Sequence, residues 1–356
     1  MTRENIRVLV TGAGGSASSN FIDSLGISSL SCEIVAADAS PHMLLLSKSD
    51  NRCVVPRAND PLYGDAIEKL SVQHNIDVVW VQPDSELRVI SKIRDRLPAT
   101  FLPENSKIIE GSDKQVVFSL LQHAGVPTPV TQTGSDEAEF LDVCERLLTE
   151  NESLWVRARS GAGSRASLPV RTPLQAINWI KWWIAEKGLH WTDFQVSERL
   201  PGKEFAFQSL WQNGKLISGE ARQRISYLYG FLTPSGQSST PAIAVSTRDK
   251  GVLSQGRASV LAFDPHPHGV YCVDMKEDQT GKLKTTEINV GRFFTTMNFL
   301  AHAGINMPEM AIRAALGEEL TPLGMGNVEE NLYWIRMVDM GFKLVSQKEL
   351  DRLQTI

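Results

Sequence analysis

Apolar and polar positions along the chain change period several times, and each change marks an element. Ile6 to Val10 is a largely apolar, β-branched run, as a strand covered on both faces requires. It enters Thr11-Gly12-Ala13-Gly14-Gly15-Ser16-Ala17, after which a helix is predicted to begin near Ser18 or Ser19. Ile34 to Ala37, ended by Asp38, and Asp77 to Val81, ended by Gln82-Pro83-Asp84, read as two more short strands. Between them, Pro61 to His74 carries Leu62, Ala66, Ile67 and Leu70 at helical spacing, and Leu87 to Leu97 repeats the pattern. Such alternation predicts βαβ units on a parallel sheet.

From Gly111 the pattern changes. Ser112-Asp113-Lys114 opens a helix to about Ala124, Gly125 ends it, and Val126-Pro127-Thr128-Pro129 leads away as an extended connection. The main domain boundary is placed here. After a polar helix from Asp136 to about Glu150, Leu154 to Arg159 is a strand followed by the glycine-serine loop Ser160 to Arg165. Small residues expose backbone amides and the flanking arginines supply charge, so the loop fits a flap over phosphates; a surface hairpin is the alternative. Trp179, Trp182 and Trp183 share one helix face and read as packing. Phe194 to Ser197 is a strand entering the hinge Glu198-Arg199-Leu200-Pro201-Gly202-Lys203-Glu204, and Asn213-Gly214 turns Phe205 to Leu210 back through Lys215 to Glu220. Downstream, His268 to Met275 and Lys284 to Asn289 form a hairpin around Asp278 to Gly281. Residues beyond Arg292 are expected to be mostly helical, with Trp334 as an anchor.

That last hairpin carries the sharpest chemistry. Glu287 and Asn289 are two apart and share a sheet face, and Asp274 can lie opposite them. Two carboxylates and an amide oxygen suit Mg²⁺ bound with phosphates and water. A solvated hairpin edge is the competing account, weakened because an unpaired carboxylate fits poorly within Thr285-Thr286-Glu287-Ile288-Asn289.

Composition narrows the field. The 356 residues carry 36 basic and 41 acidic side chains, a formal charge of −5, so no global field draws the chain to nucleic acid or an anionic membrane. Cys32, Cys53, Cys144 and Cys272 form no CxxC pair, which argues for reduced thiols in a cytoplasmic protein. No signal peptide or membrane span is expected. Gly12 to Ala17 also fits the dinucleotide fingerprint G-x-G-x-x-A, but Asp38 lies later than the usual interval of about 20 residues for a ribose-binding acid. The loop is therefore open to three readings: an NAD site, a cradle for another anion, or a tight structural turn.

In this order the pieces resemble the ATP-grasp superfamily, specifically its carbamoyl-phosphate-synthase-like branch, over roughly Arg7 to Gly317. The D-x12-E-x-N pattern of Asp274, Glu287 and Asn289 is similar to that of the D-alanine–D-alanine ligase members, and the resemblance implies one or two Mg²⁺ ions held there against ATP. SERLPGKEF resembles the adenine linker, which implies backbone contact at Glu198, Arg199 and Leu200 and ribose contact at Glu204. Arg157 and Lys114 match phosphate-contacting positions, and the stretch Ser235 to Ile243 is similar to a segment of the synthase branch. The implied α/β fold has an N-terminal Rossmann-like parallel sheet (1–110), a first ATP-grasp part (111–200) with a small α+β lid around 155–198, a C-terminal α+β nucleotide-binding part (201–317) and a helical extension (318–356). The implied activity is that of a single-module carboxylate–amine ligase acting through an acyl phosphate on a small carboxylate and an amine. Arg157 and Arg292 are its expected catalytic cations, and a homodimer is the expectation from base rates. Gly14, Ser16, Glu86, Arg222 and Arg224 are the expected acceptor-pocket residues, their arginines favouring an anionic substrate. The family's E-x-N-P-R is here Glu287-Ile288-Asn289-Val290-Gly291-Arg292, which displaces the arginine by one residue. Release of the acyl phosphate without an amine, an NAD-dependent oxidoreductase and a nucleotide sensor are the competing readings.

Overall fold

The computed structural model describes residues 5–161, 166–238 and 240–351. The N-terminal unit runs β1 (Ile6–Thr11), α1 (Ser16–Gly26), β2 (Cys32–Asp38), α2 (Pro41–Leu44), β3 (Asn51–Val54), α3 (Tyr63–Gln73), β4 (Val78–Trp80) and α4 (Asp84–Ile90). Its four strands are all parallel in the order β3-β2-β1-β4, as the alternation predicts. Val8, Leu9 and Val10 are buried because α3 and α4 pack on the Leu9 face while α1 and part of the C-terminal unit pack on the Val8 and Val10 face. Helix α1 starts at Ser16, earlier than the apolar pattern implies.

Helices α5 (Asn105–Gly111) and α6 (Lys114–His123) lead to the lid. It comprises β5 (Thr131–Gln132), α7 (Glu137–Leu148), β6 (Leu154–Ala158), β7 (Leu168–Val170), α8 (Pro173–Lys187) and β8 (Phe194–Glu198). An antiparallel sheet β5-β8-β6-β7 packs on the two helices around Phe140, Leu154, Ile177 and Phe194. Trp179 and Trp183 flank this core, while Trp182 is 47 % exposed.

The C-terminal unit contains β9 (Glu204–Gln212), β10 (Lys215–Tyr227), β11 (Pro241–Thr247), α9 (Lys250–Phe263), β12 (Gly269–Glu277), β13 (Leu283–Val290), α10 (Asn298–His302), α11 (Met307–Ala315), β14 (Gly324–Met325), β15 (Leu332–Met337), β16 (Gly341–Ser346) and α12 (Gln347–Asp351). Its sheet runs β13-β12-β9-β10-β11-β15-β16, with β14 beside β10. Alternation along β9 divides the core. Phe205, Phe207 and Trp211 join Val252, Val260 and Phe263 of α9 in one core cluster, whereas Ala206 and Leu210 join Met307, Ala311 and Ile312 of α11 in the other.

Residues 318–356 are a correction to the expected helical extension: their described part is strand and loop, with only α12 helical. Trp334 does serve as an anchor, but from β15, stacked on Phe299 and Phe342. No helix among the described residues is long and apolar enough to cross a membrane.

Candidate active site

The antiparallel register puts the site on one sheet face. Arg222 on β10, Ala206 on β9, Asp274 on β12 and Glu287 on β13 form one rung across four strands. Arg224, Glu204 and Lys276 form the next rung, and Gln208, Cys272 and Asn289 the one on the other side. Directly opposed residues project to the same face, so one register brings all of these together. A register shift after Asp274 leaves Thr286 as an extra residue. Thr285 consequently points to the far face, bonded to Ser259 and Gln255 of α9, while Glu287 faces the cleft.

The cleft is about 350 Å³ and lies between sheet, lid and N-terminal unit. Among the described residues, seven basic side chains (Lys114, Arg157, Arg199, Arg222, Arg224, Lys276 and Arg292) line it against five acidic ones (Asp84, Glu198, Glu204, Asp274 and Glu287), a balance that favours an anionic occupant. Lys114 is the first residue of α6, whose N-cap is Asp113. Its Nζ donates to the Gly161 carbonyl at 2.9 Å and lies 3.4 Å from Glu287. Arg157 projects from lid strand β6, donates to the Thr286 carbonyl at 2.9 Å and stands 4.0 Å from Glu287. Burial pushes the Glu287 carboxyl up, but Lys114, then Arg157 and Arg292, outweigh it and hold the group below its ordinary value.

Asp274 is pushed up to about 6 by burial, which Arg224 only partly offsets. Its Oδ1 is 2.5 Å from Arg224 Nη2, a contact of opposite charges without hydrogen-bond geometry, and its Oδ2 accepts from Asn289 at 3.3 Å. Asp274, Glu287 and Asn289 thus converge as hard oxygen donors, a set that suits a divalent cation shared with phosphate oxygens. Among the described residues no three carboxylate, imidazole or thiol side chains alone make such a site.

Arg292 reaches this group despite its displacement. Gly291 adopts a left-handed φ of +81° and donates to the Val270 carbonyl at 2.7 Å. The turn returns Arg292 to the cleft, where it donates to Asn289 Oδ1 and through Nε and Nη2 to Asp84 at the start of α4. Arg222 differs from these arginines. It is 3 % exposed, donates Nη1 to the Thr296 carbonyl at 2.9 Å, and has a buried Nη2 without a hydrogen-bond partner. The Phe294 and Phe299 rings lie 5.4 and 6.0 Å from its guanidinium. Ring attraction of about 0.5–2 kcal/mol is smaller than the several kcal/mol of burying a charge. Burial, reinforced by Arg224, accordingly lowers its pKa to about 9.

Structural comparison decides the architecture. The chain superposes over 93 % of its length on 82 % of the N5-carboxyaminoimidazole synthetase of Staphylococcus aureus complexed with ADP, at 13 % identity and a TM-score of 0.71. The biotin carboxylase domain of the Hydrogenobacter thermophilus 2-oxoglutarate carboxylase, bound to MgADP, ADP and bicarbonate, matches with a TM-score of 0.70 at 15 % identity, over 92 % of this chain and 73 % of that one. This is the ATP-grasp fold. An L-amino acid ligase from Bacillus licheniformis has the same architecture, with a TM-score of 0.67 at 15 % identity, over 94 % and 79 % of the two chains. No family model matches the sequence, and no curated protein does.

Within the ATP-grasp frame, Lys114, Arg157, Glu198, Arg199, Leu200, Glu204, Arg222, Arg224, Asp274, Glu287, Asn289 and Arg292 all line the cleft. Glu198 does so while its side chain is engaged elsewhere, accepting from the Val130 amide and from Lys284 at 2.6 Å. Glu204 is held by Arg224, Lys276, Tyr227 and Gln237. Burial raises its pKa, but Arg224 and Lys276 outweigh that and keep it low. Gly14, Ser16 and Glu86 lie apart from the cleft lining. The Gly14 amide donates to Asp38 at 2.9 Å, and a side chain there would meet the Met43 backbone at 2.6 Å. The glycine loop is therefore packed by its own neighbours, which favours the structural reading. Glu86 is buried facing Thr11 and Tyr63, and Asp84 takes its place at the cleft. Positions 162–165 of the expected flap, and Ser239, lie outside the described residues. Sequence reasoning missed Tyr227, Lys276 and Phe294, and took in Gln237 only as part of the stretch Ser235 to Ile243; Lys276, two residues after Asp274, carried a periodic signal.

Proposed function

We propose that the chain is an ATP-dependent, ADP-forming carboxylate–amine ligase working through an acyl phosphate. The observation that carries this is the single sheet face on which Asp274, Glu287 and Asn289 meet Lys114, Arg157 and Arg292. Hard oxygens set against fixed cations suit a nucleoside triphosphate with its divalent ion. Asp274, Glu287 and Asn289 would hold one or two Mg²⁺ ions, which supply positive charge to the transferred phosphoryl group. The adenine edge meets the backbone at Glu198 to Leu200, with the ribose towards Glu204. Lys114 and Arg157 draw charge from the phosphates while Arg292, steered by Gly291, orients the attacking carboxylate. The lid bearing Arg157 excludes water, so the acyl phosphate survives until an amine displaces phosphate. Two of the three similar structures described above contain ADP, one of them with magnesium and bicarbonate, in keeping with this reading.

The test is ADP and phosphate release from purified protein with ATP, Mg²⁺ and pooled carboxylic acids, with and without pooled amines. Release that needs both acid and amine supports the ligase. Release with acid alone indicates an acyl-phosphate product instead. Glu287→Gln keeps the side-chain shape and should lower turnover by a factor on the order of 10²–10³, as expected for an electrostatic stabiliser; unchanged turnover and Mg²⁺ dependence would remove the site assignment.

A further inference from the structure

Among the cleft's buried arginines, three already face carboxylates: Arg157 faces Glu287, Arg224 faces Glu204 and Asp274, and Arg292 faces Asp84. Arg222 has no carboxylate partner among the described residues, yet it is almost completely buried and lines the same cleft. Among the described residues it makes one hydrogen bond, which leaves Nη2 without an acceptor, and aromatic rings flank its guanidinium. A guanidinium in that position is built to receive an anion.

Its place identifies which anion. Arg222 is two residues before Arg224 on β10, hence on the same face and roughly 7 Å further along the strand. Arg224 touches Asp274, at the edge where phosphoryl transfer is proposed. Arg222 shares its rung with Asp274 but lies two strands across from it, roughly 10 Å along the sheet, and its guanidinium is held against Thr296 and Phe294. A carboxylate placed for phosphorylation beside Asp274, Glu287 and Arg292 leaves Arg222 to a different part of the same molecule.

We propose that the acid substrate carries a second anionic group, carboxylate or phosphate, and that Arg222 is its receptor. This rests on the ligase reading for the position of the reacting carboxylate. Arg222 touches no reacting atom: it selects dianionic acids over monocarboxylates and orients them along the sheet face.

Titration calorimetry on the full chain tests this, with and without saturating Mg²⁺ and a non-hydrolysable ATP analogue. The probes are propionate and butyrate as monocarboxylates, succinate and glutarate as dicarboxylates, and 3-phosphoglycerate as the phosphate-bearing acid. The expected result is that a dianion binds at least tenfold more tightly than either monocarboxylate. The stronger of the dicarboxylate and phosphate arms identifies the second group. Arg222→Gln should erase the preference with analogue affinity retained, and Arg222→Lys should restore most of it. Absence of dianion binding, equal binding of the monocarboxylates, or a preference that survives in Arg222→Gln would overturn the proposal. Failure of the ligase reading looks different: dianions bind through Arg222 as expected, but no acid in the series provokes ADP release.

Discussion

Gly291→Ala isolates the device that brings Arg292 into the cleft. An L-residue at φ +81° is strained by about 1–2 kcal/mol. The added Cβ would also stand 3.0 and 3.3 Å from the two methyl carbons of Leu87 and 3.4 Å from Pro103 Cδ. Leu87 is buried, so yielding disturbs packing at about 1–3 kcal/mol. Together these predict a loss of about 2–5 kcal/mol and a melting temperature lower by several degrees. The larger consequence is positional. Relief of the strain moves Arg292 away from Asp84 and Asn289, and a misplacement of about 1 Å lowers turnover on the order of 10²-fold. Acid-dependent ADP release and a thermal melt are measured together, with Gly304→Ala as the control. Gly304 has φ +97° and open space around its Cβ position, so it should lose stability from strain and keep its turnover. If Gly291→Ala matched the wild type in both measurements, the glycine turn could not be what positions Arg292.

Two further outcomes are expected. Burial, the largest influence, raises the Glu86 pKa, with Thr11 and Tyr63 opposing it; ionised Glu86 therefore costs stability above the ordinary carboxylate range near 4.3, increasingly as pH rises through its folded value. Glu86→Gln should raise the melting temperature at pH 7.5 by an amount that fades towards pH 4, and an equal shift at both pH values would contradict this. Gly14→Ala drives a methyl group into the Met43 backbone, so melting should fall while the KM for ATP holds; a large change in that KM would return the glycine loop to the nucleotide site.

The parallel sheet and the final hairpin were legible because their signals are local. Period-two alternation placed Glu287 and Asn289 on one face, and the Asp278 side chain, accepting from the Thr280 and Lys282 amides, fixes the turn that sets Asp274 opposite Glu287. The end of the chain misled for an equally local reason. Leu332 to Met337 and Gly341 to Ser346 are short apolar runs that periodicity alone does not separate from helix. Between them, Asp339 at φ +62° and Gly341 at φ +67° make the turn, a signal for a hairpin present in Asp339-Met340-Gly341. The Asp84–Arg292 pair was not legible because it forms only when the N- and C-terminal units pack, and Gln237–Glu204 because it joins the loop before β11 to the start of β9 within the C-terminal unit.

The same packing explains how this site holds so many buried charges. Glu287 is the acid faced by Lys114 at the start of α6 and by Arg157 on the lid, while Arg157 also bonds the backbone at Thr286. Asp274 and Glu204 share Arg224. A polyphosphate entering the cleft therefore meets cations already paired with carboxylates, and on the proposed reading its binding is largely an exchange of partners. Such an exchange limits the net affinity gained from each ion pair, since every new contact replaces an existing one. On the same reading the lid is tied to occupancy, because Arg157 would turn to phosphate by loosening its hold on Glu287. Arg222 stands outside this exchange, with no carboxylate to give up, and that is why the strongest selectivity is expected there and not among the arginines nearest the phosphates.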